Sequence, residues 1–274
     1  MRPDLTQSIP ALPLLEDVGA IVDAACQLCL DLLSRPMQDW HKQDQSPVTS
    51  VDIAVDRFLF GQLRGLFPQA GWLSEETADN DERLQYQYVW VVDPIDGTRS
   101  MLAGRPEFCV SVGLVETGVG PLLGVIANPS TGERFFAQVG QGAHDQLGGR
   151  LQSRSTFSAE SPQVLVSHSD ISNGLWQGVL PIAQMTPLGS LAYKMALVAA
   201  GRFDGHATAM PRSEWDAAAG SLILSEAGGM ATDLHGRPLQ FNLRKTQYDG
   251  MVVASTPAYA AMLEYAHRSA KLAL

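Results

Sequence analysis

The feature that most constrains this chain is a short apolar run that ends directly in two carboxylates. Residues 89–92 read VWVV, and DPIDGT follows at 93–98 without a spacer. Such a run predicts a buried strand. Carboxylates at the end of a buried strand are unfavourable unless a cation neutralises them, so Asp93 and Asp96 predict a cation site at the strand edge. Taken alone, the segment favours an exposed Asp-Pro-x-Asp-Gly turn, which is a common structure.

The rest of the chain predicts alternating helices and strands around this segment. Apolar spacing predicts helices over 14–33, 50–66, 190–200 and 215–227 and from Pro257, with strands at 72–74, 89–92, 108–115, 121–127, 133–138, 163–167, 203–207 and 251–254. Thr49 is the expected N-cap of the second helix, with Asp52 completing a capping box. Residues 36–48 are expected to be a loop, and the charged residues 77–88 are expected to be exposed. We place a soft boundary between an N-terminal α+β half, 1–155, and a C-terminal α/β half, 156–274.

Composition narrows the class of partner. The 274 residues are 45% hydrophobic with a formal net charge of −10, and no apolar run reaches membrane-spanning length. An acidic chain without a Lys/Arg cluster is a poor partner for nucleic-acid polymers or membranes. It can bind a small anion if metal ions or backbone amides supply positive charge. The missing signal segment and the three cysteines predict a cytoplasmic location, and Cys26 and Cys29 are predicted to pack in the core of a helix.

Three further segments carry residues suited to the same chemistry. Glu75 and Glu76 follow a predicted strand, Asp216 starts a predicted helix, and Lys42 precedes the Thr49–Asp52 cap. Each has an ordinary structural explanation, as a solvated acid pair, a helix cap or a capping box. Hard carboxylate oxygens of this kind favour Mg²⁺ or Mn²⁺.

Together the segments resemble the inositol monophosphatase superfamily of metal-dependent phosphatases. The resemblance spans about residues 40–255 and rests on four motifs, which are the EE pair at 75–76, DPIDGT at 93–98, WDAAAG at 215–220 and EAGG at 226–229. It implies a layered αβαβα sandwich of the sugar-phosphatase type. It also implies a phosphomonoesterase that needs two or three Mg²⁺, accepts Mn²⁺ as a possible substitute and is inhibited by Li⁺. Relatives include monomers and dimers, so a homodimer is possible.

The resemblance implies a metal role for five positions. Glu75, Asp93 and the carbonyl of Ile95 would hold one Mg²⁺. Asp93, Asp96 and Asp216 would hold a second. A third, weaker ion would rest on Glu75 and water.

Other positions are implied to handle water and substrate. Thr98, hydrogen-bonded to Asp52, would position and deprotonate the attacking water together with Glu75. The amides of Gly97 and Thr98 would hold the phosphate. Substrate contacts are predicted at the positions Lys42, Arg99, Gly189 and Ser190.

Details of the motifs are similar to the CysQ-type branch, the 3′(2′),5′-bisphosphate nucleotidases. These are SEET at 74–77, DGTR at 96–99, GSLA at 189–192 and SEWD at 213–216. Arg99 can meet a second phosphate or be a plain surface charge. Inositol phosphatases carry a sugar-binding Glu before the Trp-Asp pair, and residues 207–211 have no acid. The resemblance therefore favours adenosine 3′,5′-bisphosphate as the predicted substrate. The alternatives are inositol, sugar or histidinol phosphates and a non-catalytic phosphate-binding relative, and His168 is expected to be a loop residue that could touch substrate.

Overall fold

The computed structural model describes residues 12–42 and 47–270. Its helices are α1 (Leu15–Leu33), α2 (Ser50–Leu66), α3 (Thr98–Leu102), α4 (His168–Ser172), α5 (Leu191–Ala199), α6 (Glu214–Glu226) and α7 (Tyr259–Ala270). Its strands are β1 (Asp39–His41), β2 (Pro47–Thr49), β3 (Ala70–Ser74), β4 (Tyr88–Asp96), β5 (Cys109–Glu116), β6 (Gly120–Ala127), β7 (Arg134–Gln138), β8 (Ala143–Asp145), β9 (Val164–Val166), β10 (Met185–Pro187), β11 (Gly205–Thr208), β12 (Arg212–Ser213), β13 (Gly229–Asp233), β14 (Gln247–Tyr248) and β15 (Met251–Ser255).

The first layers form around a six-stranded sheet of order β3-β4-β5-β6-β7-β8, in which only β3 and β4 pair in parallel. Helices α1 and α2 cover one face, because each carries an apolar stripe at helical spacing. Val22 of α1 and Leu59 of α2 belong to the core cluster that also contains Trp90 of β4. Every residue of β4 is buried, as expected for a central strand covered on both faces.

The second sheet has the order β10-β9-β11-β15-β13, and α5 and α6 lie between the two sheets. Small residues of α6, such as Ala218 and Ala219, are fully buried in this middle layer. Met262 of α7 packs with Val252 of β15 on the outer face. The succession of helices, sheet, helices, sheet and helix confirms the predicted αβαβα sandwich.

Local predictions in the N-terminal half are also confirmed. Thr49 caps α2 and forms the capping box with Asp52. Cys29 is buried in the α1 core, Cys26 packs at its edge, and both are free thiols. Burial raises the pKa of both thiols to about 12, which suits inert core cysteines.

Three local predictions are wrong. His168 is not a loop residue, because it is the first residue of α4. Residues 36–48 are not all loop, because β1 and β2 pair as antiparallel strands; residues 43–46 of this segment lie outside the described residues. Residues 77–88 are not all exposed, because Arg83 is fully buried and donates 2.7 Å hydrogen bonds to Asp79 and Asn242. Asn242 lies far along the chain, and a local charge pattern gives no sign of such a partner. The boundary near residue 155 stays a prediction. Within the described ranges, no helix combines the length and apolar character needed to cross a bilayer.

Candidate active site

The end of β4 places two carboxylates in the interior. Asp93 and Asp96 are buried, and the pairing of β4 with β5 shifts register between them. The N–H of Ile95 donates to Asp93 over 3.0 Å. Asp216 lies in the first turn of α6, where its carboxylate accepts the N–H of Ser213 over 2.8 Å. One oxygen from each of the three aspartates lies within 4.8 Å of the others.

The three aspartates destabilise one another's charged forms. Burial raises the pKa of Asp93 well above its ordinary range, and the charges of Glu75, Asp96 and Asp216 raise it further. Burial and the charges of Asp96 and Glu75 raise the pKa of Asp216 to about 7. Such a cluster is stable in its ionised form only with a cation among the oxygens. Carboxylate oxygens are hard donors of the kind that bind Mg²⁺ or Mn²⁺, so the three aspartates are suitable ligands for a divalent cation.

Glu75 follows β3 and faces Lys42. The Lys42 ammonium lies 2.8 Å from Glu75 and 2.7 Å from Glu76. Burial opposes the lysine charge, but the two glutamates outweigh it and raise the pKa of Lys42 above its ordinary value. Lys42 therefore lines the cleft with its charge directed to the carboxylates, and its predicted contact with substrate stays a prediction.

Helix α2 supports both acidic segments from behind. Asp52 accepts a 2.8 Å hydrogen bond from the Thr98 hydroxyl. One turn later, Asp56 accepts hydrogen bonds from Ser74 and from Thr77, the latter over 2.8 Å. Positions four apart share a helix face, so one helix fixes the ends of β3 and β4. The sequence analysis missed Asp56, for which the i, i+4 spacing from Asp52 was the available signal.

The loop after β4 is shaped for close contact. Gly97 has φ +102°, and a Cβ at this position would lie 2.7 Å from the carbonyl oxygen of Glu107. Only glycine fits such a backbone without strain. Thr98 then begins α3, so Gly97 and Thr98 stand where a helix start offers N–H groups to an anion.

The start of α5 holds Asp96 from the opposite side. One carboxylate oxygen of Asp96 accepts the Ser190 hydroxyl over 2.7 Å and the Ala192 N–H over 2.6 Å. Ser190 has a positive φ of 54°, which is rare outside glycine and concentrates at functional sites. Gly189 and Ser190 both line the cleft, and the structure gives Ser190 an additional part in orienting Asp96.

These segments enclose one cleft of about 700 Å³. It brings together Glu75, Asp93, Ile95, Asp96 and Asp216 with Lys42, Gly97, Thr98, Arg99, Gly189 and Ser190. Asp52 lies behind Thr98, through the hydrogen bond described above. The structure thus brings every site residue predicted from the sequence to one place.

Basic side chains, here called the basic wall, also line the cleft, and most of them were not predicted from the sequence. Arg105, His168, Lys194 and Arg212 line the cleft in addition to the predicted Arg99. Lys194 is only 2% exposed, and its ammonium donates to the Ser167 hydroxyl over 3.1 Å and to a backbone carbonyl. Burial, followed by the charge of Arg212, lowers the pKa of Lys194 to about 8. These residues come from separate segments, so no local motif announces them.

The segment before α6 places no acidic side chain in the cleft, as its sequence predicts. Met210, Pro211 and Arg212 line the cleft. Glu214 is the nearest acid along the chain, but it is buried and accepts the N–H groups of Asn242 and Leu243. The segment from 207 to 212 therefore presents a cation and no carboxylate to the cleft.

Comparison with known proteins agrees with this site. The model of the inositol monophosphatase family matches residues 11–271. The chain is 35% identical to the 3′(2′),5′-bisphosphate nucleotidase CysQ of Salmonella typhimurium over 78% of this chain and 87% of the relative. It is 32% identical to inositol monophosphatase 2 of Solanum lycopersicum, over 75% and 81%.

A solved structure gives the same result for the fold. The IMPase of Thermotoga maritima superimposes with a TM-score of 0.83 at 25% identity and covers 94% of this chain and 98% of its own. The family model spans nearly the whole chain, and the curated relatives cover more than two thirds of it. The chain belongs to the inositol monophosphatase family and is a phosphoric monoester hydrolase.

Proposed function

We propose that the protein is a Mg²⁺-dependent 3′(2′),5′-bisphosphate nucleotidase that converts adenosine 3′,5′-bisphosphate to AMP and phosphate. The single observation that carries the proposal is the mixed lining of the cleft. A carboxylate cluster beside the loop at 97–98, here called the acidic wall, lines the same cleft as the Arg, Lys and His side chains of the basic wall. The bisphosphate nucleotidase relatives support the same substrate.

In this proposal, Glu75, Asp93, the Ile95 carbonyl, Asp96 and Asp216 hold two or three Mg²⁺, for which Mn²⁺ can substitute. When bound, the metal supplies charge neutralisation for the phosphate dianion and lowers the pKa of water. Ser190 and the Ala192 N–H fix one oxygen of Asp96, so the other oxygen has a defined direction. The backbone N–H groups of the loop at 97–98 position the scissile phosphate.

The pair Thr98–Asp52 handles the proton of the attacking water. The Thr98 hydroxyl donates its own proton to Asp52, which leaves the threonine oxygen to accept a proton from water. Asp52 also accepts the N–H and hydroxyl of Thr49, so its carboxylate is fixed in place. Burial raises the pKa of Asp52 despite these hydrogen bonds, which suits a group that must accept a proton. The water oxygen forms the new bond to phosphorus as its proton passes to the Thr98 oxygen. The ester P–O bond breaks, and the leaving sugar oxygen takes a proton from solvent water.

The basic wall selects the substrate. A nucleoside bisphosphate carries a second phosphate that is not hydrolysed, and buried cations favour an anionic partner over a neutral one. Lys194 forms no ion pair within 4.0 Å among the described residues, whereas Arg212 pairs with Asp170 at 4.0 Å. An inositol phosphate offers only hydroxyl groups beyond its phosphate and gives the buried Lys194 ammonium no anionic partner. The inositol phosphatase relative keeps this ester as the second candidate.

The test is phosphate release with Mg²⁺ from adenosine 3′,5′-bisphosphate and inositol 1-phosphate side by side, with and without Li⁺. We expect faster, lithium-sensitive hydrolysis of the nucleotide. Preference for the inositol ester would keep the phosphatase chemistry and overturn the assigned substrate. Lithium inhibition, the cytoplasmic location and the homodimer stay predictions.

A further inference from the structure

One buried thiol beside the acidic wall has no part in the chemistry above. Cys109 is the first residue of β5, and its side chain is fully buried. The pairing of β4 with β5 places Cys109 opposite Asp96, one of the predicted metal ligands. Directly opposite residues of an antiparallel pair have neighbouring side chains. The contacts of this thiol therefore bear on the orientation of a carboxylate in the acidic wall.

The group that connects the thiol to Asp96 is the hydroxyl of Ser190. The Sγ atom of Cys109 lies 3.3 Å from Oγ of Ser190. The same hydroxyl donates to Oδ2 of Asp96 over 2.7 Å and accepts the N–H of Tyr193 over 3.0 Å. One hydroxyl therefore joins side chains of β4 and β5 to the first turn of α5.

The supply of protons decides the direction of the contact between the thiol and the hydroxyl. A serine hydroxyl has one proton and two acceptor positions, whereas an ionised carboxylate can only accept. The proton of Ser190 is therefore directed at Asp96, and the N–H of Tyr193 occupies one acceptor position. The remaining acceptor position is available to the S–H of Cys109. The hydrogen bonds thus form a chain in which Cys109 donates to Ser190 and Ser190 donates to Asp96.

The backbone of Ser190 needs such contacts because it is strained. Its φ of 54° lies in the left-handed region that favours glycine, and a conformation of this kind persists only where the surroundings fix it. The preceding residue, Gly189, is held through its N–H, which donates to the Glu107 carboxylate over 2.8 Å. Ser190 itself is held through its hydroxyl, and the contact with Cys109 ties that hydroxyl to β5.

We propose that Cys109 is a positioning residue of the metal site, which holds the Ser190 hydroxyl as a donor to Asp96 and so fixes the orientation of the Asp96 carboxylate. This inference rests on the proposed function, because it concerns affinity for the metal that the proposed hydrolysis requires. Each donor in a hydrogen-bond chain polarises the next and strengthens it. Groups that hydrogen-bond to a metal ligand orient that ligand and contribute to metal affinity.

The test is Mn²⁺ binding to chelator-treated protein, followed through the electron paramagnetic resonance signal of free Mn²⁺. For Cys109→Ala, we expect the apparent Kd to rise about 5-fold, the size of one net neutral hydrogen bond. For Ser190→Ala, the rise should be about 10-fold or more, because this hydroxyl donates directly to the carboxylate. Cys109→Ser keeps a donor and should bind Mn²⁺ nearly as tightly as the wild type does.

A double-mutant cycle separates this role from packing alone. Because Cys109 acts through Ser190, adding Cys109→Ala to Ser190→Ala should cause no further rise in the Kd. Cys29→Ala is the matched control, since Cys29 is also a fully buried free thiol but lies in the core of α1 and α2. It should lower the Tm without changing the Kd. If Cys109→Ala fails to fold, Cys109→Val fills the space without a donor, and we expect the same rise in the Kd.

The outcomes distinguish the two proposals. Absence of Mn²⁺ binding by the wild type would overturn the proposed metal site, and with it this inference. Wild-type binding that Cys109→Ala or Cys109→Val leaves unchanged would overturn only the role of Cys109. Additive effects in the cycle would do the same, as would a Cys109→Ser variant that binds Mn²⁺ as weakly as Cys109→Ala.

Discussion

The two walls of the cleft are built in different ways. On the acidic wall, Asp93 and Asp96 are three residues apart on one strand end, and backbone N–H groups or helix-cap contacts hold them. On the basic wall, each cation comes from a different segment, with Lys194 on α5 and Arg212 on β12. In the proposed function, the acidic wall holds the metal that hydrolysis requires. The basic wall can change one residue at a time, which suits the selection of different substrates on one catalytic frame.

The largest loss of turnover is expected from substitutions at the acidic wall. In Asp93→Asn, we expect turnover of every phosphate ester to fall on the order of 1,000-fold, because losing a metal ligand removes several kcal/mol of transition-state stabilisation. The metal-free variant should be at least as stable as the wild type, since one repelling carboxylate is gone. Phosphate release and thermal unfolding without metal measure the two effects.

The control for this variant is Asp249→Asn, which neutralises an exposed aspartate whose one ion pair among the described residues is with Lys245 on the surface. It should behave as the wild type does. Normal turnover by Asp93→Asn, and equally by Asp216→Asn, would contradict the metal-site assignment.

The proton-handling pair should show the next largest effect. We expect Thr98→Ala to lower kcat about 100-fold for bisphosphate and monophosphate alike, because general acid–base assistance is worth about that factor. Thr98→Ser keeps the hydroxyl and should recover most of the rate. Steady-state kinetics of the two variants decide the point, and equal losses in both would indicate a packing role for the threonine methyl group.

A smaller, substrate-selective effect is expected at the basic wall. Lys194→Met keeps the length of a buried side chain and removes its charge. The kcat/KM for adenosine 3′,5′-bisphosphate should fall about 10-fold, the size of one charge-assisted contact, with little change for adenosine 3′-monophosphate. An equal fall in kcat/KM for both substrates would show that Lys194 does not select between them.

The smallest effect concerns the pH dependence of stability in the metal-free protein. Asp216 has a pKa of about 7 when folded, against an ordinary 3.8, because of burial and its acidic neighbours. Below about pH 4 both states are protonated; above it the unfolded chain ionises first, so stability is lost as the pH rises towards 7. Mg²⁺ binds the ionised form, so it should raise the Tm more at pH 8 than at pH 6. Thermal unfolding at both pH values, with and without Mg²⁺, checks this; an equal shift at both would contradict it.

The sequence predicts the acidic wall better than it predicts the basic wall. The strand ending in DPIDGT and the Thr49–Asp52 cap are local patterns, and both are confirmed. Glu107, His168 and Lys194 are held in place by contacts with residues that are 6 to 82 positions away along the chain. Such contacts depend on how loops of two sheets converge. Arg83 is the structural counterpart, because its buried partner Asn242 is 159 residues away.

The proposed function requires that the acidic wall is a metal site that drives hydrolysis. The decisive measurement is phosphate release from adenosine 3′,5′-bisphosphate by chelator-treated protein across a Mg²⁺ titration. We expect negligible phosphate release without added metal and saturable activation as the Mg²⁺ concentration rises. Equal release in the presence of a chelator would contradict it.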